Sequence, residues 1–242
     1  MTAILTSSPC IYGAPRAILN PENDFVQELR RLLPQNPRCL FIAAAPDDPA
    51  FTDHVAGEME VCFAEADLGF SELYKLDRRN QADAKLLIWK SDLIILSGGH
   101  VPTQNAFFQE IGLKELIRDY QGLILGISAG TMNAAERVYV QPEEAGESVP
   151  EFPRFAEGLG LTRLNVLPHY QMVKDNFLDG RRLYEDITFA DSYGEQFWVF
   201  VDGTYLLLED GKTTLRGEAY LLQDGHMEQI CALGQSMVLD EA

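Results

Sequence analysis

Residues 123–136 read Leu-Ile-Leu-Gly-Ile-Ser-Ala-Gly-Thr-Met-Asn-Ala-Ala-Glu. The unbroken apolar run Leu123 to Ile127 predicts a strand covered on both faces. The small residues that follow predict a helix from Ala129 to about Glu136. Ser128 therefore sits where a buried strand bends into a helix, between Gly126 and Gly130. Such a bend pushes the hydroxyl out above the sheet and needs small neighbours, because the backbone folds closely around it. The helix start aims free N–H groups at the same point, where they suit an oxyanion. A chance GxSxG in a chain this long has a probability of roughly 5–10%, so the strand before it and the helix after it carry much of the weight.

Outward from this bend, strand and helix signals alternate. Ala3–Thr6, Cys39–Ala44, Leu73–Leu76 and Asp92–Leu96 read as strands. Helices are expected over Pro21–Leu33 (Asn20 as N-cap, Pro21 at the first position), Ala50–Ala66, Gln81–Trp89 and Thr103–Tyr120. The alternation predicts an α/β fold, doubly wound, with a mostly parallel sheet and helices on both faces. After Arg137 the pattern changes. Gln141–Phe155 is rich in Pro, Glu and Gly and reads as a surface loop. Leu164–Leu167 is a short strand, and Gly180–Phe189 reads as helical. From Phe197 onward antiparallel strands are expected, with hairpin turns at Asp202-Gly203, Asp210-Gly211 and Asp224-Gly225. No repeat or linker stands out, so residues 1–242 are read as one domain.

Three further elements bear on the chemistry. Ser97-Gly98-Gly99 ends the strand DLIIL, and its glycines let the backbone turn N–H groups toward a ligand. With the N–H of Ala129, those of Gly98 or Gly99 would make an oxyanion hole. Both loops lie at carboxyl ends of strands, where open α/β sheets bind ligands. A serine nucleophile needs a base, and histidine is the usual one near neutral pH. His54 falls mid-helix and His226 in a late turn, while His100 follows the double glycine and is placed to line the site. His169, after a short strand in LPHY, is favoured over His100. For an acid to orient the imidazole, Asp202 is the first candidate, with Glu143, Glu144, Asp175 and Asp186 open.

The bulk properties exclude several classes. Net charge is −18, with 37 acidic against 19 basic residues, which argues against nucleic acid or anionic membrane as partners. Hydrophobic residues make up 46% and charged residues 23%, enough apolar chain for a packed core. Cys10, Cys39, Cys62 and Cys231 show no CxxC pair and read as free thiols in a reducing compartment. No secretory signal and no run of 18 apolar residues is found, so a cytoplasmic protein is expected. The scattered histidines suggest no metal site, and the lack of a Walker loop or GxGxxG suggests no cofactor.

Taken together, LTSSP at residues 5–9, Asn20-Pro-Glu-Asn23, LSGG ending at Gly99, GISAG and LPHY resemble peptidase family S51 over most of the chain. That family includes aspartyl dipeptidase (peptidase E) and cyanophycinase. Its fold is similar to that of class I glutamine amidotransferases, with serine in place of cysteine. The resemblance implies a serine peptidase with the order Ser, His, acid: Ser128, His169 and Asp202, the last in VDGT where the dipeptidase has Glu-Gly. It implies an oxyanion hole from Gly99 or Gly98 with Ala129. It also implies an arginine for the substrate's aspartate, at Arg181 or Arg182. The stretch His100-Val-Pro-Thr103-Gln104-Asn105 departs from the dipeptidase, which has a third glycine and Asn-Thr there. The leading expectation is hydrolysis of short peptides, Asp-X dipeptides among them, by a monomer or homodimer. The alternatives are a catalytically silent amidotransferase-like binding module, and an esterase or amidase acting on a non-peptide acyl group.

Overall fold

A computed structural model describes residues 1–11 and 13–239. Five strands, β1 (Thr2–Thr6), β2 (Arg38–Ile42), β3 (Glu72–Leu76), β4 (Leu93–Leu96) and β5 (Leu123–Ile127), pair in parallel in the order β1-β5-β4-β2-β3. Successive side chains on a strand point to opposite faces, which divides the apolar runs between two cores. Ala3, Leu5, Leu40, Ile42, Ile94 and Ile124 belong to one. Ile4, Cys39, Phe41, Ile95 and Leu125 belong to the other.

Helices cover both faces. α1 (Phe25–Leu32) and α2 (Pro49–Glu65) pack Phe25, Leu29, Ala56 and Phe63 into the second core. α3 (Ala84–Lys90), α4 (Val101–Glu110) and α5 (Leu113–Leu116) pack Ile88, Phe107, Phe108 and Leu113 into the first. Some helices are shorter than the sequence suggests. Asn23 and Asp24 adopt left-handed backbone, so α1 starts at Phe25, and Asn20 caps only a local turn through Glu22 N–H at 3.0 Å. The helix expected over Thr103–Tyr120 breaks at Gly112, φ 64°. α6 (Ala129–Met132) ends early because the carbonyls of Asn133, Ala134 and Ala135 accept from Leu159, Leu161 and Gly160 instead of from the next helical turn.

β6 (Arg137–Tyr139) and β7 (Phe155–Glu157) form a small ribbon flanking the expected loop. β8 (Asn165–Leu167) leads to α7 (Tyr170–Val173), and β9 (Phe177–Leu178) turns back as β10 (Arg181–Arg182). The helix expected over Gly180–Phe189 is therefore replaced at its start by strand. It continues as a wide π turn over Leu183–Thr188, closed by Thr188 Oγ1 donating to the Leu183 carbonyl at 2.8 Å, and then α8 (Phe189–Asp191).

β11 (Gln196–Phe200), β12 (Tyr205–Glu209), β13 (Lys212–Arg216), β14 (Ala219–Gln223), β15 (His226–Cys231) and β16 (Ser236–Leu239) complete the chain. β12, β13 and β16 extend the central sheet antiparallel beyond β1, while β15, β14, β11 and β8 form a second sheet. Asp210-Gly211 and Asp224-Gly225 are tight hairpin turns, both residues of each having positive φ. Asp202-Gly203 is not a hairpin. Only Gly203 has positive φ, and the segment carries the chain from the second sheet to the central one. No helix among the described residues is long and apolar enough to cross a membrane.

Candidate active site

Parallel register brings the ends of β1, β4 and β5 to one edge, with Thr6 opposite Ile127 and Leu96 opposite Gly126. The next residues, Ser7, Ser97-Gly98-Gly99 and Ser128, therefore emerge together. Ser128 has φ 52° and ψ −113°, a backbone conformation that costs a non-glycine residue about 1–3 kcal/mol. The surroundings hold it there. Ser128 N–H and Thr131 Oγ1 both donate to the Thr6 carbonyl, at 3.1 and 2.8 Å, and Gly130 N–H donates to Ser97 O at 3.1 Å. A Cβ on Gly130 would run into the carbonyl oxygen of Leu96, so the close crossing of α6 over β4 requires glycine. Gly98 approaches the Ser128 side chain closely, and a Cβ on it would stand 3.2 Å from Ser128 Cβ. Among the described residues, the N–H groups of Gly98, Gly99 and Ala129 have no hydrogen-bond partner. Gly98 and Gly99 line one cavity with Ser128, and Ala129 follows Ser128 in the chain.

The second sheet delivers the other side of the site. β8 and β11 run parallel with Leu167 opposite Val199, so His169 and Asp202 leave the same sheet edge near one another. His169 Nδ1 and Asp202 Oδ1 are 2.7 Å apart. Asp202 is held further: Ser7 Oγ donates to the same Oδ1 at 2.7 Å, and Asp202 N–H donates to Gln171 Oε1 at 3.1 Å. Ser7 Oγ also accepts the backbone N–H of His169 at 2.8 Å. The Asp202 side chain is 5% exposed and that of His169 27%. Burial pushes the Asp202 carboxyl up, but the hydrogen bond and charge of His169 and the Ser7 hydroxyl outweigh it, and the group ends below the usual carboxylate range. No hydrogen bond joins Ser128 Oγ to His169 among the described residues.

Ser128 and His169 line two adjoining cavities. One, of about 310 Å³, is walled by Phe41, Val55, Met59, Ile127 and the Gly98-Gly99 turn. The other, of about 270 Å³, is walled by Met132, Pro142, Glu143, Val173, Phe177, Leu178 and Leu183 among others. A larger groove of about 860 Å³ lies at the opposite end, against Thr2, Arg38, Asp92 and Leu123 at the amino ends of the strands. It holds none of the chemistry above, and ligands of open α/β sheets bind at the other edge.

Glu143 faces the smaller cavity from the loop after β6. The residue is exposed to solvent, while partial desolvation of its carboxyl raises it above the usual carboxylate range, with Glu147 and Glu144 adding to the rise and His100 and His169 opposing it. Glu147 Oε2 accepts the N–H groups of Glu143 and Glu144 at 2.8 and 2.9 Å, and Glu147 Oε1 lies 2.9 Å from His100 Nε2. His100 Nδ1 meets Thr103 Oγ1 at 2.8 Å, so His100 is engaged on both ring nitrogens and lies outside both cavity linings. His100, Glu144 and Glu147 bring three potential metal-ligand atoms within 4.8 Å of one another, a grouping their sequence spacing did not suggest. His100 and Glu147 already have protein partners there.

The arginines take other positions. Arg181 donates to the carbonyls of Ser148 and Asp186 at 3.2 and 2.6 Å, and Arg182 pairs with the Asp186 carboxylate at 2.6 Å. Both are exposed, and neither lines a cavity with Ser128. Sequence reasoning missed Ser7. Its signal was its place just past β1, whose carboxyl end shares the edge with β5.

The sequence profile of peptidase family S51 matches residues 15–216. No curated protein matches the chain. Among solved structures, a peptidase from an acI-B1 actinobacterium has a TM-score of 0.63 at 17% identity, over 98% of this chain and 96% of the other. A protein provisionally named peptidase E from Listeria monocytogenes EGD-e has a TM-score of 0.58 at 16% identity, over 95% and 98%. At these identities the two likenesses speak for the fold, and the profile match, which spans most of the chain, decides the family. The chain belongs to peptidase family S51 and is a peptidase, a hydrolase.

Proposed function

We propose that the protein hydrolyses short peptides through an acyl-enzyme on Ser128. His169 takes the hydroxyl proton as Ser128 Oγ attacks the scissile carbonyl. The N–H groups of Ala129 and of Gly98 or Gly99 bind the oxyanion. The tetrahedral intermediate collapses, the C–N bond breaks, and His169 returns the proton to the leaving amine. Water then attacks the ester by the same steps in reverse order, His169 removing its proton, and the acid product leaves. Asp202 fixes the Nδ1–H tautomer of His169 and stabilises the imidazolium.

The observation that carries this reading is the imidazole held at Nδ1 by a buried carboxylate while bordering the same cavities as the strained serine. The missing Ser128–His169 hydrogen bond does not weigh against it, since such contacts often tighten only around substrate. A fluorophosphonate probe tests it. Wild type labels at Ser128, while Ser128→Ala does not and Asp202→Asn labels slowly. Equal labelling of wild type and Ser128→Ala would remove the nucleophile. Labelling without cleavage of any peptide would favour the esterase or amidase reading.

An Asp-X preference, which the resemblance to aspartyl dipeptidase implies, needs a cation facing the substrate's carboxylate. Arg181 and Arg182 were the candidates, and both are turned to Asp186. The functional reading therefore stops at short peptides, and the walls of the site bear on the side chain.

A further inference from the structure

Resting on that peptidase reading, we infer that the substrate is a short peptide with a free amino terminus and uncharged, apolar residues on both sides of the scissile bond. The two cavities meet at Ser128 and His169, so a carbonyl placed at the serine sends one neighbour into each. Phe41, Val55, Met59 and Ile127 give the first cavity an apolar wall with no charged side chain. The second is apolar too, through Met132, Phe177 and Leu183, apart from one carboxylate, Glu143, and the amides of Gln141 and Asn176. Besides His169, no basic residue lines either cavity among the described residues.

Glu143 gives the substrate a direction. Glu143 is itself exposed at the mouth of this otherwise apolar cavity, and an ammonium group is the natural partner for a carboxylate placed there, because opposite charges attract and no other acidic side chain lines either cavity among the described residues. The N-terminal residue thus enters the cavity with Glu143, and the residue after the scissile bond enters the cavity with Phe41 and Met59. Glu144 and Glu147 stand next to Glu143 and add negative potential. A substrate aspartate in that cavity would meet like charge and no cation. The volumes, about 310 and 270 Å³, are near the lower end for ligand pockets, which fits one side chain in each rather than a folded chain.

The test is a dipeptide panel: Leu-Leu, Phe-Leu, Asp-Leu, Leu-Asp and N-acetyl-Leu-Leu, with fluorophosphonate labelling in parallel. Leu-Leu should exceed Asp-Leu, Leu-Asp and the acetylated peptide in kcat/KM by on the order of 100-fold. Glu143→Gln should raise KM for Leu-Leu about tenfold or more, with a much smaller effect on N-acetyl-Leu-Leu. Phe177, 69% exposed at the cavity rim, can be changed without loss of core packing. Phe177→Arg should raise Asp-Leu relative to Leu-Leu at least about tenfold by supplying the missing cation. Normal labelling of Ser128 with Asp-Leu cleaved as well as Leu-Leu, or with free and acetylated peptides cleaved alike, overturns the inference and leaves the mechanism standing. Loss of labelling at Ser128 overturns the mechanism itself.

Discussion

Replacing Ser7 by alanine removes one oxygen that connects all the parts of the imidazole support. Ser7 is fully buried, accepts His169 N–H at 2.8 Å and donates to Asp202 Oδ1 at 2.7 Å. A hydrogen bond to a charged group contributes about 1.5–3 kcal/mol, and an orphaned buried donor costs about 1–3 kcal/mol. The two losses share one site and do not add in full, so a destabilisation of about 2–4 kcal/mol is expected. For a chain of this length each kcal/mol lowers Tm by roughly 2–4 °C, giving a drop of roughly 5–15 °C by calorimetry. The imidazole and its carboxylate lose their common anchor, so kcat should fall on the order of 10- to 100-fold with KM little changed. A double substitution gives the sharper result. If Ser7 acts by positioning Asp202, Ser7→Ala added to Asp202→Asn costs little further kcat. The pH dependence has a definite sign. The folded pKa of Asp202 is depressed, so its stabilising contribution is present above the unfolded value and is lost as pH falls through the folded one. Without the Ser7 hydroxyl the folded pKa rises toward normal. This part of the Tm gap to wild type should therefore be widest near neutral pH and narrow on acidification. Full additivity of the two substitutions, or a kcat within about threefold of wild type, would refute the reasoning.

Three other expectations concern the bend and the thiols. Ser128→Gly should abolish hydrolysis yet raise Tm by about 2–4 °C, because glycine adopts the φ 52° backbone without the strain the serine bears; a lowered Tm would contradict the strain. Gly130→Ala should destabilise by at least about 2 kcal/mol in denaturant titration, since its Cβ would run into the Leu96 carbonyl group and the rigid Leu96 Cβ; a neutral effect would mean that α6 can lift from β4. Cys10 should alkylate before Cys39. The Cys10 sulfur lies 3.6 Å from that of Cys62, whose hydrogen bond lowers the Cys10 pKa against the opposing effect of burial, whereas burial pushes Cys39 well up. Mass spectrometry after a short iodoacetamide pulse checks the order, and Cys62→Ala should slow the reaction at Cys10.

The sequence alone determined the sheet and the serine, because both are written in local pattern. Runs such as Leu123–Ile127 and Leu93–Leu96 can be buried only on both faces, and a serine between glycines at the end of such a run has one place to go. Helix ends were less legible. α1 starts only at Phe25 because Asn23 and Asp24 take left-handed backbone, which asparagine and aspartate accept more readily than most residues. The break at Gly112 rests on a positive φ that glycine permits but does not impose.

Only the tertiary structure decided how the site is completed. Asp202-Gly203 has the composition of a hairpin, and local chemistry cannot distinguish a turn within one sheet from a crossing between two. The crossing is what places the carboxylate beside His169. Ser7 meets His169 across 162 residues of chain, and Glu143 reaches the cavity that Ser128 and His169 line. Arg181 and Arg182 both hydrogen-bond to Asp186, in the turn that follows their strand. Strands and a strand-to-helix bend follow from the nearest few side chains. Hydrogen bonds between distant loops follow from strand order and register, which are set by the packing of the whole chain.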